Sequence, residues 1–231
     1  MTTSIQQSGW FPVERSDHIE AGQVVQSMLH GQEIALWRAV DGSLHAWENR
    51  CPHRSVRLTL GFVAGDQLVC RYHGWRYGSD GRCTGVPSTP ATAPPSAACV
   101  RSYACRESAG IVWASLAPLP RGYPPKLVNL EPCRSFTVAT SLDTTAALLE
   151  RSGFTGSHPG VWREDHKDAA LLLLQPLEVA TTVLHLFVDR LEAGNTAPDD
   201  SLRRKNAIAR TKALLASLSQ SREMTGECIH A

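Results

Sequence analysis

Four residues in two short stretches, Cys51-Pro52-His53 and Cys70-Arg71-Tyr72-His73, are the side chains in this sequence best suited to hold metal. Each stretch offers one thiol and one imidazole, and sixteen residues separate His53 from Cys70, so the pattern is C-x-H-x16-C-x2-H. In an extended segment residues i and i+2 face the same way, so Cys51 and His53 can address two neighbouring metal atoms rather than one. Two loops of this kind, expected at hairpin tips, would clamp a diamond-shaped Fe2S2 core. Both cysteines would then bind one iron and both histidines the other.

That division of ligands defines a Rieske 2Fe-2S centre. The rival is a Cys2His2 zinc site, because zinc accepts the same four side chains. Zinc fingers usually pair like with like, however, and here both pairs are mixed and lie beside turns of a β segment.

The elements that must position these loops read as short strands separated by turns over residues 10–116. Asp41-Gly42 falls between strand-like residues 34–40 and 44–47, a hairpin signal. Gly65-Asp66 precedes residues 67–69, and Asp80-Gly81 follows residues 75–77, so turns bracket the second Cys/His pair. Four prolines between positions 87 and 95 indicate a surface loop. Pro118, Pro120, Pro124 and Pro125 then mark a boundary. Beyond it, residues 136–140 suggest a strand, 144–150 a helix, and Gly153, Gly156 and Gly160 a loop. Residues 169–175 and 181–188 suggest a strand pair flanking Pro176, and a helix is expected from Asp199 or Asp200 to about Gln220 with Leu202, Ile208, Leu215 and Leu218 on its apolar face. The expected class is α+β: an antiparallel β domain at 1–117, a proline-rich linker at 118–132 and a reduced α+β domain at 133–231.

The first of these domains resembles the N-terminal Rieske domain of Rieske non-haem iron oxygenase large subunits. The resemblance is carried by Trp10-Phe11-Pro12, Ala46-Trp47, Cys51-Pro52-His53-Arg54 and Cys70-Arg71-Tyr72-His73-Gly74-Trp75. It implies a 2Fe-2S cluster on Cys51, His53, Cys70 and His73. Val56 and Tyr72 stand where cytochrome bc-type Rieske proteins carry an extra cysteine pair, so the oxygenase type is implied. Around the ligands, Pro52 and Gly74 shape the backbone, Trp75 and Tyr77 are expected to cover the cluster, and Arg54, Arg57, Arg71 and Arg76 supply positive charge.

The resembled family also binds one mononuclear iron in a second domain through a motif acid-x2-His-x4-His. In this sequence Glu150 falls on the acid and His158 on the second histidine, while Gly153 occupies the place of the first. Glycine coordinates nothing, so mononuclear non-haem iron is not expected. His158 reads as a hydrogen-bonded loop histidine, the segment 163–168 as a solvated turn, and Thr211 falls near the place of the family's carboxylate ligand. A replacement site would have to be sought around His158, Glu164, Asp165 and His166.

The formal net charge of +1 and the absence of a basic tail give no reason to expect nucleic acid, and no apolar run approaches the roughly 20 residues that span a bilayer, so no membrane is expected. Seven cysteines, an odd number, argue against a secreted disulfide framework, and the polar first nine residues lack an export signal, so the cytoplasm is expected. Cys83, Cys99, Cys105, Cys133 and Cys228 read as plain thiols. The expected role is electron transfer within an oxygenase system, with a ferredoxin or reductase as donor and a catalytic oxygenase subunit or oligomeric assembly as partner. An active short oxygenase and a structural or redox-sensing subunit are the alternatives.

Overall fold

The computed structural model describes residues 9–120, 122–165, 169–190 and 200–224, the last with backbone only for residue 200 and residues 217–224. The chain divides into two compact units, one ending at Lys126 and the next beginning at Leu127. That division falls directly after Pro124 and Pro125.

The first unit contains β1 (Phe11–Arg15), β2 (Val24–Leu29), β3 (Gln32–Arg38), β4 (Leu44–Glu48), β5 (Phe62–Ala64), β6 (Gln67–Val69), β7 (Arg76–Tyr77), β8 (Cys83–Gly85), β9 (Ser102–Ser108) and β10 (Ile111–Ser115). They form a six-stranded sheet in the order β1-β10-β9-β4-β3-β2 and a four-stranded sheet β5-β6-β7-β8, antiparallel throughout. Two-residue turns set the registers. His30-Gly31 joins Leu29 to its partner Gln32, and Ala109-Gly110 joins Ser108 to Ile111, all four turn residues having positive φ. Right-handed strand twist favours this turn geometry. At Asp41-Gly42 the Asp41 carboxylate accepts the Ser43 N–H at 2.8 Å, closing a longer loop between β3 and β4.

Ile34, Ala35, Leu36 and Trp37 of the interior strand β3 are all fully buried. Trp37 meets Trp47 edge-on at 4.8 Å and stacks on His45 at 4.3 Å. Cys51 and Cys70 belong to the same buried cluster as these tryptophans, together with Leu58, Leu68, Tyr77 and Val100. The thiols are therefore fixed by the core of the unit. Residues 87–92 form consecutive turns and bends, with the Thr89 N–H on the Val86 carbonyl and the Thr92 N–H on the Thr89 carbonyl, both at 3.0 Å.

The second unit contains β11 (Leu130–Val138), α1 (Leu142–Arg151), β12 (Phe154–His158), β13 (Val161–Glu164), β14 (Ala170–Glu178), β15 (Thr181–Asp189) and α2 (Asp200–Met224). The sheet order is β11-β15-β14-β13-β12. The Ser141 hydroxyl caps α1 by accepting the Thr144 N–H at 3.2 Å, and Leu142, Thr145, Leu148 and Leu149 form its buried side. The α+β class is as expected, and several local expectations are corrected. The glycine loop is the hairpin β12–β13, pairing Phe154 with Glu164 and Gly156 with Trp162. The supposed solvated turn is strand as far as Glu164, with Arg163 paired to Asp189 at 2.8 Å and Glu164 to Arg210 at 3.0 Å. The first strand of the unit begins at Leu130 and tolerates Pro132 because it is an edge strand with a register shift between Pro132 and Arg134. Leu202 is exposed, and α2 instead buries Ala207 and Thr211. Asp199, His166 and Asp168 lie outside the described residues.

Candidate metal centre

The two ligand loops share one backbone plan. The Cys51 N–H donates to the Val56 carbonyl and the Ser55 N–H to the Cys51 carbonyl, each at 2.8 Å. In the second loop the Cys70 N–H donates to Trp75 and the Gly74 N–H to Cys70, each at 2.9 Å. Both loops thus close from the cysteine to the fifth residue after it, and the fourth residue takes a left-handed conformation: Ser55 at φ 53° and Gly74 at φ 70°. At Gly74 a Cβ would also lie 2.9 Å from the Pro87 ring, so glycine is required there by conformation and by space.

Only the second loop is a hairpin tip, carried by the ladder Leu68–Tyr77 and Val69–Arg76. The first passes from β4 in one sheet to β5 in the other, which corrects the expectation of two hairpins.

The side chains converge as two like pairs. Cys51 and Cys70 are each 2% exposed. The rings of His53 and His73 are 4.7 Å apart, His53 half-buried and His73 exposed. Trp75 stacks on His53 at 4.4 Å with planes 7° apart, and Tyr72 packs on His73 at 3.9 Å. Burial pushes the Cys70 thiol up, with Cys51 beside it adding to the rise, while the backbone N–H groups of Tyr72 and His73 pull it down. Burial thus disfavours the Cys70 thiolate unless a cation takes the place of its proton. Burial, then His73 and Arg54, hold His53 below the ordinary histidine range, so it offers a neutral imidazole. Two buried sulfurs beside two outer imidazoles fit a two-iron core, which takes only two protein ligands on each iron. Among the described residues no three His, Cys, Asp or Glu side chains converge as one mononuclear ion requires.

Tyr77 is fully buried, and its hydroxyl lies 3.1 Å from the Cys51 sulfur. Burial and the neighbouring Cys51 raise its pKa far above the ordinary value, so it remains a neutral donor. Sequence reading gave it only a covering role, because no spacing rule marks a hydroxyl 26 residues from its sulfur. Hydrogen bonds to cluster sulfurs favour the reduced state by offsetting its added negative charge. Tyr77→Phe is expected to lower the midpoint potential by roughly 20–60 mV, the equivalent of one hydrogen bond for a one-electron couple. Protein-film voltammetry measures the shift; an unchanged potential would remove this role.

Arg54, Arg71 and Arg76 are exposed around the ligands, while Arg57 is ion-paired with Glu33. Cys83, Cys99, Cys105 and Cys133 are free thiols, and Cys228 and His230 lie outside the described residues.

In the second unit Glu150 is exposed in the last turn of α1, Gly153 follows at φ 86°, and His158 closes β12. His158 Nδ1 accepts the Gly160 N–H at 3.3 Å, and burial lowers its pKa. An open basin of about 810 Å³ is lined by Glu150, Gly153, His158, Trp162 and Asp165 among others. The left-handed backbone at Gly153 disfavours any side chain, a histidine included, although a Cβ there would meet nothing within 4 Å.

Residues 9–104 match the Rieske [2Fe-2S] domain family, so this part of the chain is a Rieske domain and a 2Fe-2S cluster is its implied cofactor. About half of the chain also matches curated oxidoreductases and oxygenase subunits. It is 46% identical over 112 residues to the oxidoreductase NdmD of Pseudomonas putida, covering 48% of this chain and 19% of that protein. It is 35% identical over 124 residues to the 3-chlorobenzoate-3,4-dioxygenase oxygenase subunit of Comamonas testosteroni, covering 53% and 28%. Thus it spans under a third of the length of these curated relatives. Among solved structures, dicamba monooxygenase bound to dicamba shares the fold with TM-score 0.71 at 15% identity, over 94% of this chain and 88% of that one. NdmA of Pseudomonas putida CBB5 with caffeine gives 0.69 at 18% identity, over 90% and 81%. No helix among the described residues is long and apolar enough to cross a membrane.

Proposed function

We propose that this chain is an electron-transfer protein or subunit of an oxygenase system, carrying its 2Fe-2S cluster on Cys51, His53, Cys70 and His73. The observation that carries the reading is the contrast between the two units. The first brings two thiols together and two imidazoles together, whereas the second has a left-handed glycine where the resembled family's iron motif has a histidine. When bound, the cluster supplies a one-electron store. The chain's own residues bury the sulfurs, expose the His73 edge, and surround it with Arg54, Arg71 and Arg76. That charge suits an acidic donor such as a ferredoxin or the matching domain of a reductase, and His73 is the exit toward a catalytic oxygenase subunit. The second unit serves docking or assembly as a remnant of a catalytic domain and holds no mononuclear iron. The free thiols fit a reducing compartment, and we place the protein in the cytoplasm.

The test is reduction by a plant-type ferredoxin with its reductase, followed in a stopped-flow instrument and alongside dioxygen uptake. Rapid reversible reduction is expected, slowed by Arg76→Glu at low salt and converging with wild type as salt rises. Uptake should not depend on added aromatic substrates. Substrate-dependent uptake that is lost in His158→Ala would establish an active oxygenase instead.

A further inference from the structure

The two loops follow the same backbone plan but have different supports. The second stands on the β6–β7 ladder, which holds its two ends together. The first connects two different sheets, so no ladder joins the chain entering it to the chain leaving it. We propose that Asn49 replaces the missing rung and is the positioning residue that closes the first ligand loop, holding Cys51 and His53 in place. This inference rests on the cluster reading above and concerns how the same site is held.

A carboxamide carries the donor and acceptor of a peptide group, and Asn49 uses both on one residue. Its Oδ1 accepts the Thr59 N–H and its Nδ2 donates to the Thr59 hydroxyl, each at 3.0 Å. Asn49 is fully buried, two residues before Cys51, and Thr59 lies just beyond the loop. The rung is anchored to β3 as well. The Asn49 N–H donates to the Glu33 carbonyl at 3.1 Å, and the Glu33 carboxylate grips the Arg57 guanidinium through both of its oxygens. Residues 49, 57 and 59 are thereby tied to one another or to one residue of the central sheet, and the segment between them has little freedom left. A buried side chain that loses such a partner leaves polar groups unsatisfied.

Asn49→Ala and Asn49→Asp test this; the aspartate keeps the acceptor for the Thr59 N–H and loses the donor. In the purified, cluster-containing protein, Asn49→Ala is expected to raise amide hydrogen exchange in residues 51–59 by roughly ten- to a hundredfold, the cost of the two hydrogen bonds to Thr59. Residues 70–75 should be unaffected, and iron loss to a ferrous chelator should accelerate to a similar degree. Asn49→Asp should fall between, and it carries the test if the alanine variant does not fold. Unchanged exchange in the first loop, or equal increases in both loops, would overturn the proposal, the latter because it reports general loss of stability. If wild-type protein lacks iron and sulfide, the cluster reading fails, while the contrast in exchange between the loops still decides the role of Asn49.

Discussion

Replacing Cys51 or Cys70 with serine is expected to abolish the visible-absorbing cluster, bringing iron and sulfide to background, whereas His158→Ala leaves both unchanged. On the proposed assignment both cysteines would hold the same iron, so losing one would leave that iron a single protein ligand. Serine is a poor substitute in this setting. Both residues are 2% exposed, and a hydroxyl gives up its proton far less readily than a thiol. Tyr77 would then face an oxygen in place of the Cys51 sulfur it lies beside. His158 lies in the other unit, where its Nδ1 accepts the Gly160 N–H. Absorption spectra and metal content of the three variants check this. A Cys51→Ser protein that keeps the wild-type spectrum would exclude Cys51 as a ligand.

The midpoint potential is expected to fall as pH rises through the alkaline range, by up to about 59 mV per pH unit where one proton accompanies each electron. Oxidised iron withdraws charge from its imidazole ligands, so the outer N–H groups of His53 and His73 are more acidic in the oxidised protein than in the reduced one. As pH rises, protons leave the oxidised protein first, which stabilises it and lowers the potential. Arg54 lies close enough to His53 for its charge to favour loss of a proton there. Voltammetry from neutral to alkaline pH reads the slope directly. A flat potential would argue against histidine on the redox iron, and Arg54→Ala should move the fall to higher pH.

The candidate ligands were legible because coordination demands residue types at fixed spacing, and Cys70 and His73 lie within five residues of turns marked by Gly65 and Gly74. The turns at Asp41-Gly42 and Gly65-Asp66 were legible for a related reason, since few residues accept their backbone. The supports of the site were not. Asn49 reaches Thr59 across ten residues and Tyr77 reaches Cys51 across 26, contacts set by how the sheets pack and not by any local period. In the second unit β12 reads Phe-Thr-Gly-Ser-His, whose glycine and serine suggest a turn, and its pairing with β13 overrides that preference. Pro132 likewise hid the start of β11, because only the edge position makes proline acceptable there.

Iron, zinc and acid-labile sulfide per chain, measured on anaerobically purified and desalted protein, test the metal centre most directly. The expected result is two irons and two sulfides, without zinc and without a third iron, as the ligand pairs of the Rieske domain require. One zinc with no sulfide would contradict the assignment of Cys51, His53, Cys70 and His73 to a 2Fe-2S cluster.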